Sequence, residues 1–258
     1  MAILKYRLFN YQLLAGRFSR SSWLLKQQVK EFALKVPDVQ FFTEVSDRHK
    51  WDSLIIDGYQ NIHSVDNKGA SECAINVRSD QWDVLFWESR VLTEHRFFTT
   101  RGTPRALINS LTAVIQDKEK VRRPIVLSMV HLPSSVEGYD KSLFSKVKNR
   151  VIAWVLAVSA WKKYIRGIRK EYKTRNVLCV ADFNLNIKKF KTRRYIKSVF
   201  RLYHFTFRHP YPKRGDLGKR LITYGLYRGF RWYKQPLVLD KHRASDHNPI
   251  IGSLKQVK

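Results

Sequence analysis

Asn176-Val-Leu-Cys-Val-Ala-Asp182-Phe-Asn184 is a short apolar run that stops on a carboxylate and an amide. A run of this length, bounded by polar residues and rich in β-branched side chains, reads as a strand from Asn176 to Asp182 buried on both faces. Strands of that kind belong to α/β architectures, and their ends are where such scaffolds bring functional side chains together. Asp182 and Asn184 stand two residues apart and are expected on one strand face.

Three other places repeat the pattern. Val39 to Val45 is an apolar strand carrying Phe-Thr-Glu44-Val near its end, Pro124 to Leu132 is one carrying Met-Val-His131-Leu, and Ser245-Asp246-His247 precedes Asn-Pro after the run Trp232 to Leu239. Hydrolysis of a phosphodiester requires a hard cation on carboxylate oxygens, a group that activates water, donors for the non-bridging oxygens and a proton source. Glu44, His131, Asp182, Asn184, Asp246 and His247 supply one candidate for each of these tasks.

Between the anchors, strands and helices alternate without repeats or low-complexity linkers. Ile3 to Asn10 alternates as a first strand, and Ser21 to Lys35 has the spacing of an amphipathic helix with Leu24, Leu25, Val29 and Phe32 on its apolar side. Tyr59 to Val65, Glu72 to Arg78 and Val84 to Leu92 read as a meander of strands joined by turns. Tyr139 to Tyr172 has helical composition, with a break expected near Gly167. Arg193 to Phe200 reads as a short helix, and Arg220 to Tyr227, Trp232 to Leu239 and Pro249 to Leu254 as closing strands. Helices set between groups of strands predict two packed mixed β-sheets flanked by helices, in one domain spanning residues 1–258.

Charge bounds the partner. The chain carries 49 Lys and Arg against 21 Asp and Glu, and residues 141–258 hold 30 of the bases but only 5 of the acids. Two of those five, Asp182 and Asp246, lie in the strand-end motifs, so acids are scarce except where a cation needs them. This excess points to a phosphate-rich partner. Cys73 and Cys179 fall inside apolar runs without metal-binding spacing, and read as reduced core residues. The N-terminus lacks the apolar stretch of a signal peptide, and Val151 to Trp161 is too short to span a bilayer, so a cytoplasmic protein without a membrane partner is expected.

The ordered set from Leu8-Phe9-Asn10 through Thr43-Glu44-Val45, Val130-His131-Leu132 and Asp182-Phe183-Asn184 to Ser245-Asp246-His247 resembles the endonuclease/exonuclease/phosphatase superfamily, nearly end to end. The resemblance implies a four-layer α/β sandwich and phosphoester hydrolysis dependent on a divalent metal, Mg²⁺ or alternatively Mn²⁺. Glu44 would be the principal metal ligand, since Mg²⁺ favours a few carboxylates and several waters. By the resemblance Asn10 would touch the metal or its water and Asp246 would join metal or water positioning. Asp182 would hold or deprotonate the attacking water, Asn184 would donate to a phosphate oxygen, and His247 would act as base or phosphate clamp. His131 matches a general acid or phosphate contact, for which an imidazole suits neutral pH. Arg78 and Tyr139 are further candidates for phosphate contact.

One departure stands out. Many members of the superfamily carry an aspartate in the strand before the last motif, and that carboxylate orients the final histidine, whereas Leu221-Ile222-Thr223-Tyr224 places Thr223 there. Either activity is reduced, or Asp240 or Asp216 substitutes from a neighbouring loop. Charge rather than motif selects the substrate: the basic second half, interleaved with aromatics around Arg214, Arg228 and Arg231, suits a polymer of phosphates. The expectation is a nuclease acting on nucleic acid, DNA first, as an endonuclease of little sequence preference. An inositol or lipid phosphatase of the same fold and a catalytically impaired nucleic-acid-binding protein are the alternatives.

Overall fold

The computed structural model describes residues 8–14, 22–45, 48–63, 73–93, 97–98, 104–105, 108–132, 143–199, 204–205, 213, 215–217, 219–239 and 247–256. In chain order the elements are β1 (Leu8–Leu14), α1 (Ser22–Ala33), β2 (Val39–Thr43), α2 (Arg48–Leu54), β3 (Tyr59–His63), β4 (Cys73–Arg78), β5 (Trp82–Val91), β6 (Phe97–Phe98) and β7 (Pro104–Arg105). They continue with β8 (Asn109–Asp117), β9 (Ile125–His131), α3 (Leu143–Glu171), β10 (Asn176–Asp182), α4 (Phe190–Val199), β11 (His204–Phe205), β12 (Thr223–Arg228), β13 (Phe230–Val238) and β14 (Ile250–Gln256).

Two six-stranded sheets are formed, in the orders β13-β14-β1-β2-β4-β3 and β11-β12-β10-β9-β8-β5, beside a two-stranded β6-β7 ribbon. Both large sheets are mixed: β1 runs parallel to β2 and β9 parallel to β10, while the remaining pairs are antiparallel. The period of two explains the layering. On β2, Val39 and Phe41 enter the main core shared with the second sheet, while Phe42 turns to the opposite side against Leu25, Val29 and Phe32 of α1 and Leu54 of α2. Beneath α2, Asn76 donates to Gln40 Oε1 at 3.1 Å and to the Leu54 carbonyl at 2.8 Å, so this buried amide is satisfied.

The outer face of the second sheet is covered by α3 through Trp154, Ala157, Val158, Trp161, Ile165 and Ile168. Trp161 is wholly buried, and its indole N–H donates to Ser128 Oγ at 2.7 Å, which lies 2.7 Å from Thr112 Oγ1. Loss of so large a side chain leaves a cavity and removes one of the two hydrogen-bond partners of the Ser128 hydroxyl. Trp161→Ala is therefore expected to lower stability by about 3–5 kcal/mol, read from the denaturant midpoint.

Several expectations shift. β10 has the bounds read from the sequence, and α1 differs by a residue or two. The first strand instead runs to Leu14, beyond Asn10. The three-stranded meander is not formed: β3 and β4 make a hairpin in the first sheet, but β5 crosses to the second and pairs with β8. A turn at residues 79–81 reverses the chain without dictating which sheet receives it, and the Trp82 indole, donating to Asp38 Oδ1 at 2.8 Å, ties the crossing in place. The helix expected to break near Gly167 is continuous, because a mid-helix glycine costs only about 1 kcal/mol and the packed tryptophans and isoleucines of α3 outweigh it. β8 and α2 are additions to the sequence reading, since neither carries a clean period. Both cysteines are free and buried. No helix among the described residues is long and apolar enough to cross a membrane.

Candidate active site

The site lies at one rim of the sandwich, where strands of both sheets end. In the second sheet the register sets His131 of β9 beside Asp182 of β10, and Asp182 beside Thr223 of β12. Laterally paired residues share a face, and the alternate set, Ser128 and Cys179, lies on the α3 side because Ser128 receives the Trp161 N–H. His131, Asp182 and Thr223 therefore point toward the first sheet. From there β2, which packs across β9 and β10, delivers Glu44 just past its last residue.

The convergence is close. His131 Nε2 stands 3.5 Å from Glu44 Oε1, and Glu44, His131 and Asp182 each offer an atom within 4.8 Å of the others. Asn184 lies 3.5 Å from His131 Nε2 through its amide nitrogen, which donates to the Leu132 carbonyl at 2.7 Å. Its backbone N–H donates to Asp182 Oδ1 at 3.0 Å. Asn184 and Glu44 both adopt left-handed backbone conformations, with φ of 51° and 60°. Asparagine tolerates that region; for glutamate it costs about 1 kcal/mol or more, strain of the kind that tertiary structure sustains at functional sites.

Asp182 is only 1% exposed, and its Oδ2 is buried without a hydrogen-bond partner. Burial raises the Asp182 carboxyl above its ordinary value, opposed by the positive character of His131 and His247 and by the Asn184 N–H, with Asp216 adding to the rise. A desolvated carboxylate oxygen with no protein donor, facing a second carboxylate, fits a site for a divalent cation or a bound water.

His247 of the last motif lies near enough to Asp182 to act on its carboxylate electrostatically. His247 is 5% exposed, and its Nδ1 lies 3.1 Å from Asp216 Oδ2 and 3.3 Å from Thr223 Oγ1. Lys188, in the segment that follows β10, donates to the Lys213 carbonyl at 2.8 Å; burial lowers its pKa while the nearby Asp216 holds it up. No motif marks Lys188, because a lysine in a basic segment carries no distinguishing spacing.

Asn10 occupies β1 opposite Ser253, and its side chain lies outside what is described. Tyr139, Arg214, Asp240 and Asp246 also lie outside the described residues. Arg78, Arg228 and Arg231 are not brought to the Glu44–Asp182 rim. Arg78 ends β4 opposite the start of β2 and is engaged by Asp80 at 2.9 Å, Asp38 at 3.6 Å and the Val36 carbonyl at 3.2 Å. Arg228 pairs with Val177 at the start of β10, and Arg231 with Lys255 at the end of β14, so antiparallel register carries both to the far rim.

No protein-family model matches the chain, and no curated protein matches it. Solved structures do. An endonuclease/exonuclease/phosphatase family protein from Bacteroides thetaiotaomicron aligns over 96% of each chain with a TM-score of 0.71 and 14% identity. A mannosyl-6-phosphatase from Bacteroides thetaiotaomicron VPI-5482 aligns over 95% of this chain and 99% of its own, with TM-score 0.71 and 14% identity. TDP2 of D. rerio, complexed with single strand DNA product, aligns over 96% of this chain and 99% of its own, with TM-score 0.65 and 12% identity. Likeness that runs from one end of the chain to the other in all three identifies its fold as that of the endonuclease/exonuclease/phosphatase superfamily.

Proposed function

We propose that the chain is a divalent-metal-dependent phosphodiesterase that cuts nucleic acid, DNA in the first instance, internally and with little sequence preference. The observation that carries the reading is the cluster of Glu44, His131 and Asp182, together with the buried, unpartnered Asp182 Oδ2. Glu44, with Asn10 and Asp246 as the further candidates of the sequence motifs, would hold Mg²⁺ or Mn²⁺ beside Asp182. The ion, when bound, supplies charge to a phosphate oxygen and lowers the pKa of water. Asp182 accepts a proton from the attacking water through Oδ2, while the Asn184 amide, oriented by Leu132, donates to a non-bridging oxygen. His131 within the cluster and His247 near Asp182 serve as proton donor to the leaving oxygen and as clamp on the phosphate.

Polymer is favoured over a small phosphate ester by the concentration of 30 basic residues in residues 141–258. Lys188 and Lys213 lie on the His247 side of the rim, in reach of a backbone that passes the site. Arg214, next in sequence to Lys213, and Tyr139, in the segment after β9, are the candidates to extend the same track.

Supercoiled plasmid incubated with purified protein and Mg²⁺ is expected to be nicked, with full suppression by chelator. Absence of chelator-sensitive nicking at any enzyme concentration overturns the reading. Phosphate release from inositol phosphates with plasmid left intact would instead select a phosphatase of the same fold.

A further inference from the structure

His247 needs a fixed tautomer and orientation to act on a phosphate, and the strand position that the superfamily resemblance assigns to a carboxylate holds Thr223 instead. We infer that Asp216, delivered by the loop ahead of β12, is the positioning residue for His247. The inference rests on the phosphodiesterase reading above and adds a residue from outside the strand-end motifs.

The geometry is built rather than incidental. Asp216 is 1% exposed, and its side chain makes three contacts that place it: Oδ1 accepts the Ile222 N–H at 2.8 Å, Oδ2 accepts the Thr223 N–H at 3.1 Å, and Oδ2 faces His247 Nδ1 at 3.1 Å. The loop is locked at both sides of the residue. Leu217 and Arg220 exchange backbone hydrogen bonds at 3.2 and 3.0 Å, and Asn248, the residue after His247, donates its N–H to the Asp216 carbonyl at 2.6 Å and its side-chain amide to the Gly215 carbonyl at 3.2 Å. Glycine is required at 215, since a Cβ there would stand 1.7 Å from the Arg220 carbonyl oxygen. The backbone thus holds the carboxylate rigidly against the imidazole.

A buried carboxylate accepting Nδ1–H makes Nε2 the nitrogen that exchanges a proton or meets phosphate, and it stabilises positive charge on the ring. The Thr223 hydroxyl, 3.3 Å from the same nitrogen, is a neutral second contact. Its position also means that a carboxylate introduced by Thr223→Asp would reach Nδ1 from the strand, so the charge can be moved from loop to strand experimentally.

The test uses full-length protein with ¹⁵N-labelled histidine for NMR without metal, alongside plasmid nicking with Mg²⁺. Asp216→Asn is expected to remove the Nδ1–H tautomer of His247 and to lower kcat roughly 100-fold or more, with little change in KM. Thr223→Asp added to Asp216→Asn should restore the tautomer and recover at least about tenfold of the rate, which a purely structural role for Asp216 would not allow. Should Asp216→Asn fail to fold, Thr223→Val decides: retention of the Nδ1–H tautomer supports Asp216, and its loss assigns the histidine to Thr223 and overturns the inference. Wild-type tautomer and rate in folded Asp216→Asn overturn it as well. A wild-type protein that nicks nothing, yet loses the tautomer in Asp216→Asn, sinks the nuclease reading and leaves the Asp216–His247 pairing standing.

Discussion

Asp182→Asn and Glu44→Gln are each expected to lower kcat/KM for metal-dependent cleavage by roughly 10³-fold or more, the scale on which removal of charge stabilisation or a metal ligand acts. Both changes keep size and leave the strand ends intact, so far-UV circular dichroism should be unchanged. Asp182 adds a second, opposite signature. Its folded-state pKa is raised, chiefly by burial. The folded protein therefore binds this proton more tightly than the unfolded chain, and its stability falls as pH rises from the ordinary carboxylate value of 3.8 toward the raised one, with the cost constant above it. A neutral amide in place of the carboxylate has no charge to desolvate, so metal-free Asp182→Asn should melt at a higher temperature than the wild type at neutral pH. On the proposed role, the Asp182 carboxylate is held at the expense of stability, and its removal exposes that trade. Near-wild-type cleavage by Asp182→Asn would overturn its assignment.

Duplex binding is expected to weaken by roughly 10³-fold or more between 50 and 200 mM salt, the behaviour of about six or more neutralised phosphates. The source is the second half of the chain: α3 contains Lys146, Lys148, Arg150, Lys162, Lys163, Arg166, Arg169 and Lys170 against Glu171 alone, and α4 adds Lys191, Arg193, Arg194 and Lys197 without an acid. The slope of log affinity against log salt, measured by fluorescence anisotropy on a labelled duplex, should be the same in Glu44→Gln, because backbone neutralisation and the cation cluster are separate. Affinity insensitive to salt would exclude a phosphate track as the basis of binding.

Glu44, His131, Asp182 and Asn184 are legible in the sequence because each follows a local apolar run, and the end of a strand can be read from a few residues. β10 is legible for the same reason: Asn176 to Asp182 is continuous in its apolar character and abrupt in its ending. The meander fails where a nonlocal choice is required, since the alternation of β5 is compatible with pairing beside β4 or beside β8. Gly167 misleads because local propensity takes no account of the sheet that α3 packs upon. Arg78, Arg228 and Arg231 look like phosphate contacts by composition, but a side chain's distance from the site depends on which end of an antiparallel strand it occupies.

Residue order alone determined the α/β class, the strand-end motifs and the concentration of positive charge, because each depends on neighbours in the chain. Tertiary structure decided the rest: it brought Glu44 of one sheet to His131 and Asp182 of the other, and it set the Asp216 carboxylate against His247 beside the Thr223 hydroxyl. Those outcomes depend on register and sheet packing, where residues far apart in the chain come within 3–4 Å, and a pattern read along the backbone contains no distance across it.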